Sequence, residues 1–163
     1  MPTDIVAPQG PYQLTKHDFD RLPVDRATMQ RRIQIKNLEQ SMLALVGEGD
    51  PEAFGSDYLK PVHYFSRGMY VRELRMPAGY TIVGKRHARE HIVIISEGRC
   101  LCITERGSEE LRAPCSFISP AGEKRALYML EDTTWVTIHR TEATNLEDAE
   151  ADLILAEEPV CHG

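Results

Sequence analysis

What this chain lacks narrows it before any motif is read. No apolar run approaches the ~20 residues that a membrane-spanning helix needs, so no membrane partner is expected. The opening Met-Pro-Thr-Asp-Ile-Val has no basic stretch leading into an apolar one, which predicts a cytoplasmic rather than a secreted protein. Positive charge is in deficit: 19 Lys and Arg face 25 Asp and Glu, a net of −6. That balance argues against nucleic acid or an anionic lipid surface as the main partner. The four cysteines (Cys100, Cys102, Cys115 and Cys161) include no CxxC spacing. Reduced, packed thiols are therefore expected, with Cys100 and Cys102 on one face of a strand. There is one tryptophan, Trp135, expected as core or pocket wall, and no internal repeat. What remains, 163 residues of which 42% are apolar and 27% charged, suits one soluble domain with a proper core.

The pattern along the chain changes character twice. Pro2, Pro8, Gly10 and Pro11 predict an extended arm, and Thr15 to Leu22 a short helical turn that Pro23 ends. From Asp25 to Val46 the periodicity is helical. Met29, Ile33, Leu38, Met42 and Leu45 fall near one stripe, with Arg31, Arg32, Lys36 and Glu39 on the other face. This predicts an amphipathic helix lying on the domain or on a second subunit, hence a homo-oligomer and most simply a dimer. Short β-type runs follow from Val62 to Arg140, punctuated by Pro77-Ala-Gly79, Glu97-Gly98, Arg106-Gly107-Ser108, Pro120-Ala-Gly122 and Glu131-Asp-Thr. Many short strands with regular turns indicate a β sandwich or barrel. Asn145 suits the cap of a last helix from Leu146 to about Ala156. The expected layout is an arm and helix over 1–59, a barrel over 60–142, and a helix with an acidic tail over 143–163.

Chemistry concentrates in Gly84-Lys85-Arg-His87-Ala-Arg-Glu90-His91-Ile-Val-Ile-Ile-Ser-Glu97-Gly98. If this is one regular strand, Lys85, His87, Arg89 and His91 share a face with Val93 and Ile95. A face that turns from ionisable to apolar predicts a polar pocket opening onto a packed interior. Two imidazoles there can ligate a divalent metal or act as acid and base. A third is His139, in Thr134-Trp-Val-Thr-Ile-His-Arg, which faces inward if Trp135 and Thr137 do. Glu90 has the opposite parity; it orients a histidine from outside unless a bulge turns it in.

These residues resemble the cupins, small β-barrels of the double-stranded β-helix (jelly-roll) type. Gly98 matches the closing glycine of the first cupin motif. Counting back, His91 stands at the family's glutamate, His87 at its second histidine and Lys85 at its first. Pro120-Ala-Gly122-Glu-Lys-Arg125 matches the Pro-x-Gly core of the second motif, with Arg125 at the last metal histidine. Lysine and arginine are protonated near neutral pH and do not ordinarily bind metals, so His87 and His91 are the surviving ligands. The strings Gly-Lys-Arg-His-Ala-Arg-Glu-His, Ser-Pro-Ala-Gly-Glu-Lys-Arg and Thr-Trp-Val-Thr-Ile-His also look like small cupin-like proteins common in tailed-phage genomes. That likeness implies a phage origin, a host-cytoplasm or virion location with virion proteins as partners, and one site shared by His87, Glu90, His91, Arg125 and His139.

Two functions fit this constellation. In the first, His87, His91 and His139 hold a divalent metal (Zn²⁺, Fe²⁺, Mn²⁺ or Ni²⁺). Lys85 and Arg125 hold a small anionic substrate and Glu90 is the catalytic acid or base of an isomerase or oxygenase. In the second, the barrel is metal-free and serves a non-catalytic binding or assembly module. The fold by itself does not choose between them.

Overall fold

The computed structural model describes residues 26–46 and 59–156. The arm, the turn at Thr15 to Leu22, the caps at Asp25 and Gly47 and the acidic tail beyond 156 lie outside the described residues. Helix α1 is Arg26–Val46 and α2 is Leu146–Leu153. Between them run β1 (Val62–Ser66), β2 (Met69–Met76), β3 (Thr81–Val83), β4 (His91–Glu97), β5 (Arg99–Thr104), β6 (Gly107–Arg112), β7 (Cys115–Ser119), β8 (Arg125–Met129) and β9 (Thr133–Arg140). Neither described helix is long and apolar enough to cross a membrane.

The strands form two antiparallel sheets, ordered β1-β2-β9-β4-β7 and β3-β8-β5-β6. That interleaving, with the chain passing from one sheet to the other at every step except the β1–β2 and β5–β6 hairpins, is the cupin-type jelly roll. β-branched runs such as Ile92-Val-Ile-Ile95 favour the pleated conformation and supply alternating inner residues. Leu74, Met76, Val93, Ile95, Cys100, Cys102, Leu127, Met129 and Trp135 form the core between the sheets. The chain crosses from β4 to β5 at Gly98, where φ is +84° and an added Cβ would lie 2.1 Å from the Asp132 carbonyl oxygen. Only glycine accepts both conditions.

Helix α1 docks with the face opposite to the one its apolar stripe predicts. Met29 and Ile33 are 48% and 53% exposed, whereas Ile35 is 2% exposed against the barrel. The flanking contacts are ionic. Arg32 pairs with Glu105, Arg31 Nη1 donates to the Glu105 carbonyl (3.0 Å), and Lys124 Nζ donates to Glu39 Oε1 (2.7 Å). Glu105 and Lys124 are 6% and 4% exposed. Charges buried that deeply cost several kcal/mol unless paired, which outweighs burial of Met29 and Ile33 at ~1.5–3 kcal/mol each. The charged face of α1 therefore turns inward.

Candidate metal centre

Three histidines reach one point from three elements. His91 opens β4 and points inward with Val93 and Ile95. His139 lies on the neighbouring strand β9, whose inward positions are Trp135, Thr137 and His139. The pairing of Ile92 with Ile138 sets the two rings side by side. His87 arrives from residues 84–90, which are not strand. The expected strand alternation from Lys85 to His91 does not occur, because this stretch bonds to loops and to the chain after α2. Gly84 N donates to Arg125 O (2.9 Å), Gly122 N to His87 O (2.7 Å), Ala88 N to Leu153 O (2.7 Å) and Leu155 N to Arg86 O (2.9 Å). Lys-Arg-His-Ala-Arg-Glu also contains no β-branched residue to favour a strand.

The ring centroids of His87, His91 and His139 stand 4.4–4.7 Å apart. One nitrogen from each lies within 4.8 Å of the others. Burial lowers all three pKa values, to about 2 for His87, about 4 for His91 and about 3 for His139. Mutual repulsion within the group and the nearby Arg72 add to the effect at His87 and His139, while a bond to the Arg89 carbonyl opposes it at His91. All three are neutral imidazoles near pH 7, with lone pairs free for coordination. A neutral, closely spaced His₃ set is a donor group suited to a borderline divalent ion.

The remaining predicted residues occupy different places. Arg125 is buried, with its guanidinium carbon 5.5 Å from the Phe117 ring and 5.7 Å from the Trp135 ring. It donates to Ser119 Oγ (2.6 Å) and to the Glu123 carboxylate, which also holds Arg106 Nη2 at 2.7 Å. Lys85 stands at the cavity rim, half-exposed, with Nζ 3.1 Å from Glu150 Oε1. Glu90 is exposed and is not part of the cavity wall among the described residues. Arg89, to which the sequence assigned no role beyond its face, makes two bonds to Asp152 of α2 (2.6 and 2.7 Å), and Thr141 Oγ1 donates to the same carboxylate (2.7 Å).

The triad sits in a cavity of about 310 Å³. Tyr70, Arg72 and Thr137 also line it, and nothing in the sequence marked them. Tyr70 stacks on His139 at 5.7 Å and its hydroxyl lies 2.8 Å from His63 Nδ1. They come to the site only through the β2–β9 register, in which Tyr70 pairs with His139 and Arg72 with Thr137.

The sequence matches no protein-family model and no curated protein. Solved structures do match. A cupin domain from Bordetella pertussis is 24% identical over 50% of this chain and 91% of its own, with a TM-score of 0.41. A cupin-2 domain protein from Shewanella frigidimarina is 12% identical over 50% and 80%, with a TM-score of 0.43. Salicylate 1,2-dioxygenase from Pseudoaminobacter salicylatoxidans is 11% identical over 57% and 27%, with a TM-score of 0.48. The strand order and interleaved sheets of this chain are those of the cupin fold.

Proposed function

We propose that this protein is a metal-binding cupin in which His87, His91 and His139 hold one divalent ion (Zn²⁺, Fe²⁺, Mn²⁺ or Ni²⁺) and a small anionic ligand occupies the same cavity. The observation that carries the reading is the convergence of three neutral imidazoles, two buried (His91 and His139) and one partly buried (His87), from two strands and a fastened loop. Such an ion supplies Lewis acidity and an open coordination position. The protein's own residues then hold that position: β4 and β9 fix two rings, and the backbone bonds of residues 84–88 fix the third.

A specific observation favours ligand binding without catalysis as the second reading. The acids nearest the cavity are already paired with Lys or Arg, and Glu90 lies outside it, so among the described residues no carboxylate stands ready as general base. Elemental analysis of untagged protein purified without chelator tests the metal. Near-stoichiometric metal is expected in the wild type and little in His87→Ala or His139→Ala. Full metal in either variant, or none in the wild type after reconstitution, refutes the assignment.

A further inference from the structure

Charge bookkeeping around the triad points to what shares the cavity with the ion. Three neutral imidazoles leave a bound divalent ion with its whole +2 charge. The acids along the wall are committed elsewhere: Glu39 to Lys124 (2.7 Å), Glu123 to Arg106 and Arg125, and Glu150 to Lys85 (3.1 Å). An uncompensated buried charge is costly, so the site favours a negative group on the ion, either its own bound hydroxide or an anion that displaces it.

The rest of the wall sets the character of that group. Leu74, Met76, Ile82, Leu127 and Trp135 give the cavity an extended apolar side. A fully hydrated anion would leave this side wet, whereas an apolar body attached to the anion covers it, at ~25 cal/mol per Å². The volume of about 310 Å³ lies at the small end of the ~300–1,000 Å³ typical of ligand sites.

Thr137 supplies the third observation. It is 6% exposed, lines the cavity, and its Oγ1 is buried without a hydrogen-bond partner. An unsatisfied buried hydroxyl costs ~1–3 kcal/mol, so the site is complete only when something accepts from it or donates to it. Thr137 is two residues before His139 on the same strand face, about 7 Å along the strand. A carboxylate with one oxygen on the metal can turn the other toward this hydroxyl.

We propose that the cavity takes a small carboxylate with a compact apolar body, its acid group shared between the metal and the Thr137 hydroxyl and its body against the Leu74–Trp135 wall. This rests on the metal reading above. The test uses the full-length protein loaded with Co²⁺, titrated calorimetrically with cyclohexanecarboxylate, cyclohexanecarboxamide and malonate. The carboxylate is expected to bind at least about tenfold more tightly than either comparison compound, and its binding to disappear in the metal-free protein. Thr137→Val, nearly isosteric, is expected to keep Co²⁺ affinity and lose about five- to tenfold in carboxylate affinity, with Thr137→Ser restoring most of it. Equal binding of acid and amide, or tighter binding of malonate, overturns the ligand class while leaving the metal in place. An unchanged Thr137→Val variant overturns the hydroxyl contact. Failure of Co²⁺ to bind at all overturns the metal reading and this one together.

Discussion

Replacing Asp152 by alanine separates a helix that merely covers the barrel from one that holds the metal loop in place. Asp152 accepts two bonds from the Arg89 guanidinium and one from Thr141 Oγ1, at 2.6–2.7 Å. Arg89 lies between His87 and His91, so this carboxylate ties α2 to the segment that carries two of the three ligands. Hydrogen bonds to charged groups are worth ~1.5–3 kcal/mol each when shielded. Here the Arg89 and Asp152 side chains are 25% and 34% exposed, and solvent screening brings the net loss to about 2 kcal/mol. At ~2–4 °C per kcal/mol for a chain of this size, the melting temperature should fall by about 4–8 °C.

The pH dependence of that loss is a second check. The bond from Arg89, helped by Thr141, holds the Asp152 carboxyl below its ordinary value. Its folded pKa is therefore lower than its unfolded one, and its contribution is full above ~4 and fades as pH falls through the folded value. The gap between wild type and Asp152→Ala should be flat from pH 7 to pH 5 and close in stronger acid. Outer partners that orient metal ligands typically matter 10–100-fold in metal affinity, so about tenfold weaker Zn²⁺ binding is expected by chelator competition. Lys85→Ala is the control. It removes the neighbouring Lys85–Glu150 pair, which is about half exposed on both sides and is expected to change stability by only a few tenths of a kcal/mol. Unaltered melting and unaltered Zn²⁺ affinity in Asp152→Ala would refute the idea that α2 fastens the site.

Two further outcomes follow from the geometry. The three histidines have folded pKa values of about 2, 4 and 3, below the ordinary 6.5, so metal-free protein is most stable above pH 6.5 and loses stability as the unfolded chain takes up protons. Keeping one imidazole neutral at pH 5 costs about 2 kcal/mol, so the urea midpoint should drop steeply from pH 6.5 to 5 and less steeply in His139→Gln; a midpoint independent of pH over that range contradicts the neutral triad. Gly98→Ala should cost at least about 2 kcal/mol, because its φ of +84° adds to a clash with the Asp132 backbone, whereas Gly79→Ala at φ +81° meets no atom within 4 Å and should cost about 1 kcal/mol. Equal losses by denaturant titration would remove the close approach at Gly98 as a cause.

The barrel was legible because its signals are local. The β-branched run of β4, the glycine turns and the capping Asn145 each act within a few residues, and Asn145 Oδ1 does accept from Asp148 N (2.9 Å). The parity that linked His139 to Trp135 and Thr137 is local too, and all three are buried. Two features were not legible. The path of residues 84–90 depends on bonds to residues 122, 153 and 155, and the arrival of Tyr70 and Arg72 beside His139 and Thr137 depends on strand register. Neither leaves a mark in a sequence window. Helix α1 failed for a different reason: its hydrophobic stripe was real, but the buried Glu105 and Lys124 on the barrel demanded counter-charges, and only the polar face could supply them.

The triad is also a place where the metal-free fold is uneconomical. A barrel core gains most from apolar side chains, yet here three imidazoles and the unpartnered hydroxyl of Thr137 occupy inward positions between β2, β4 and β9. Replacing such groups by hydrophobic residues of similar volume would serve stability better, since buried polar groups without partners are costly. The arrangement is sustained because the surroundings over-determine it: strand pairing fixes His91 and His139, and four backbone bonds with the Arg89–Asp152 pair fix His87. Histidines held this rigidly have already lost the rotamer freedom that coordination would otherwise consume. The polar defect and the preorganised site are then one feature. A bound ion repays it in proportion to occupancy, so the metal-loaded protein should be stabilised by about 4 kcal/mol at a free-metal concentration a thousand times the dissociation constant.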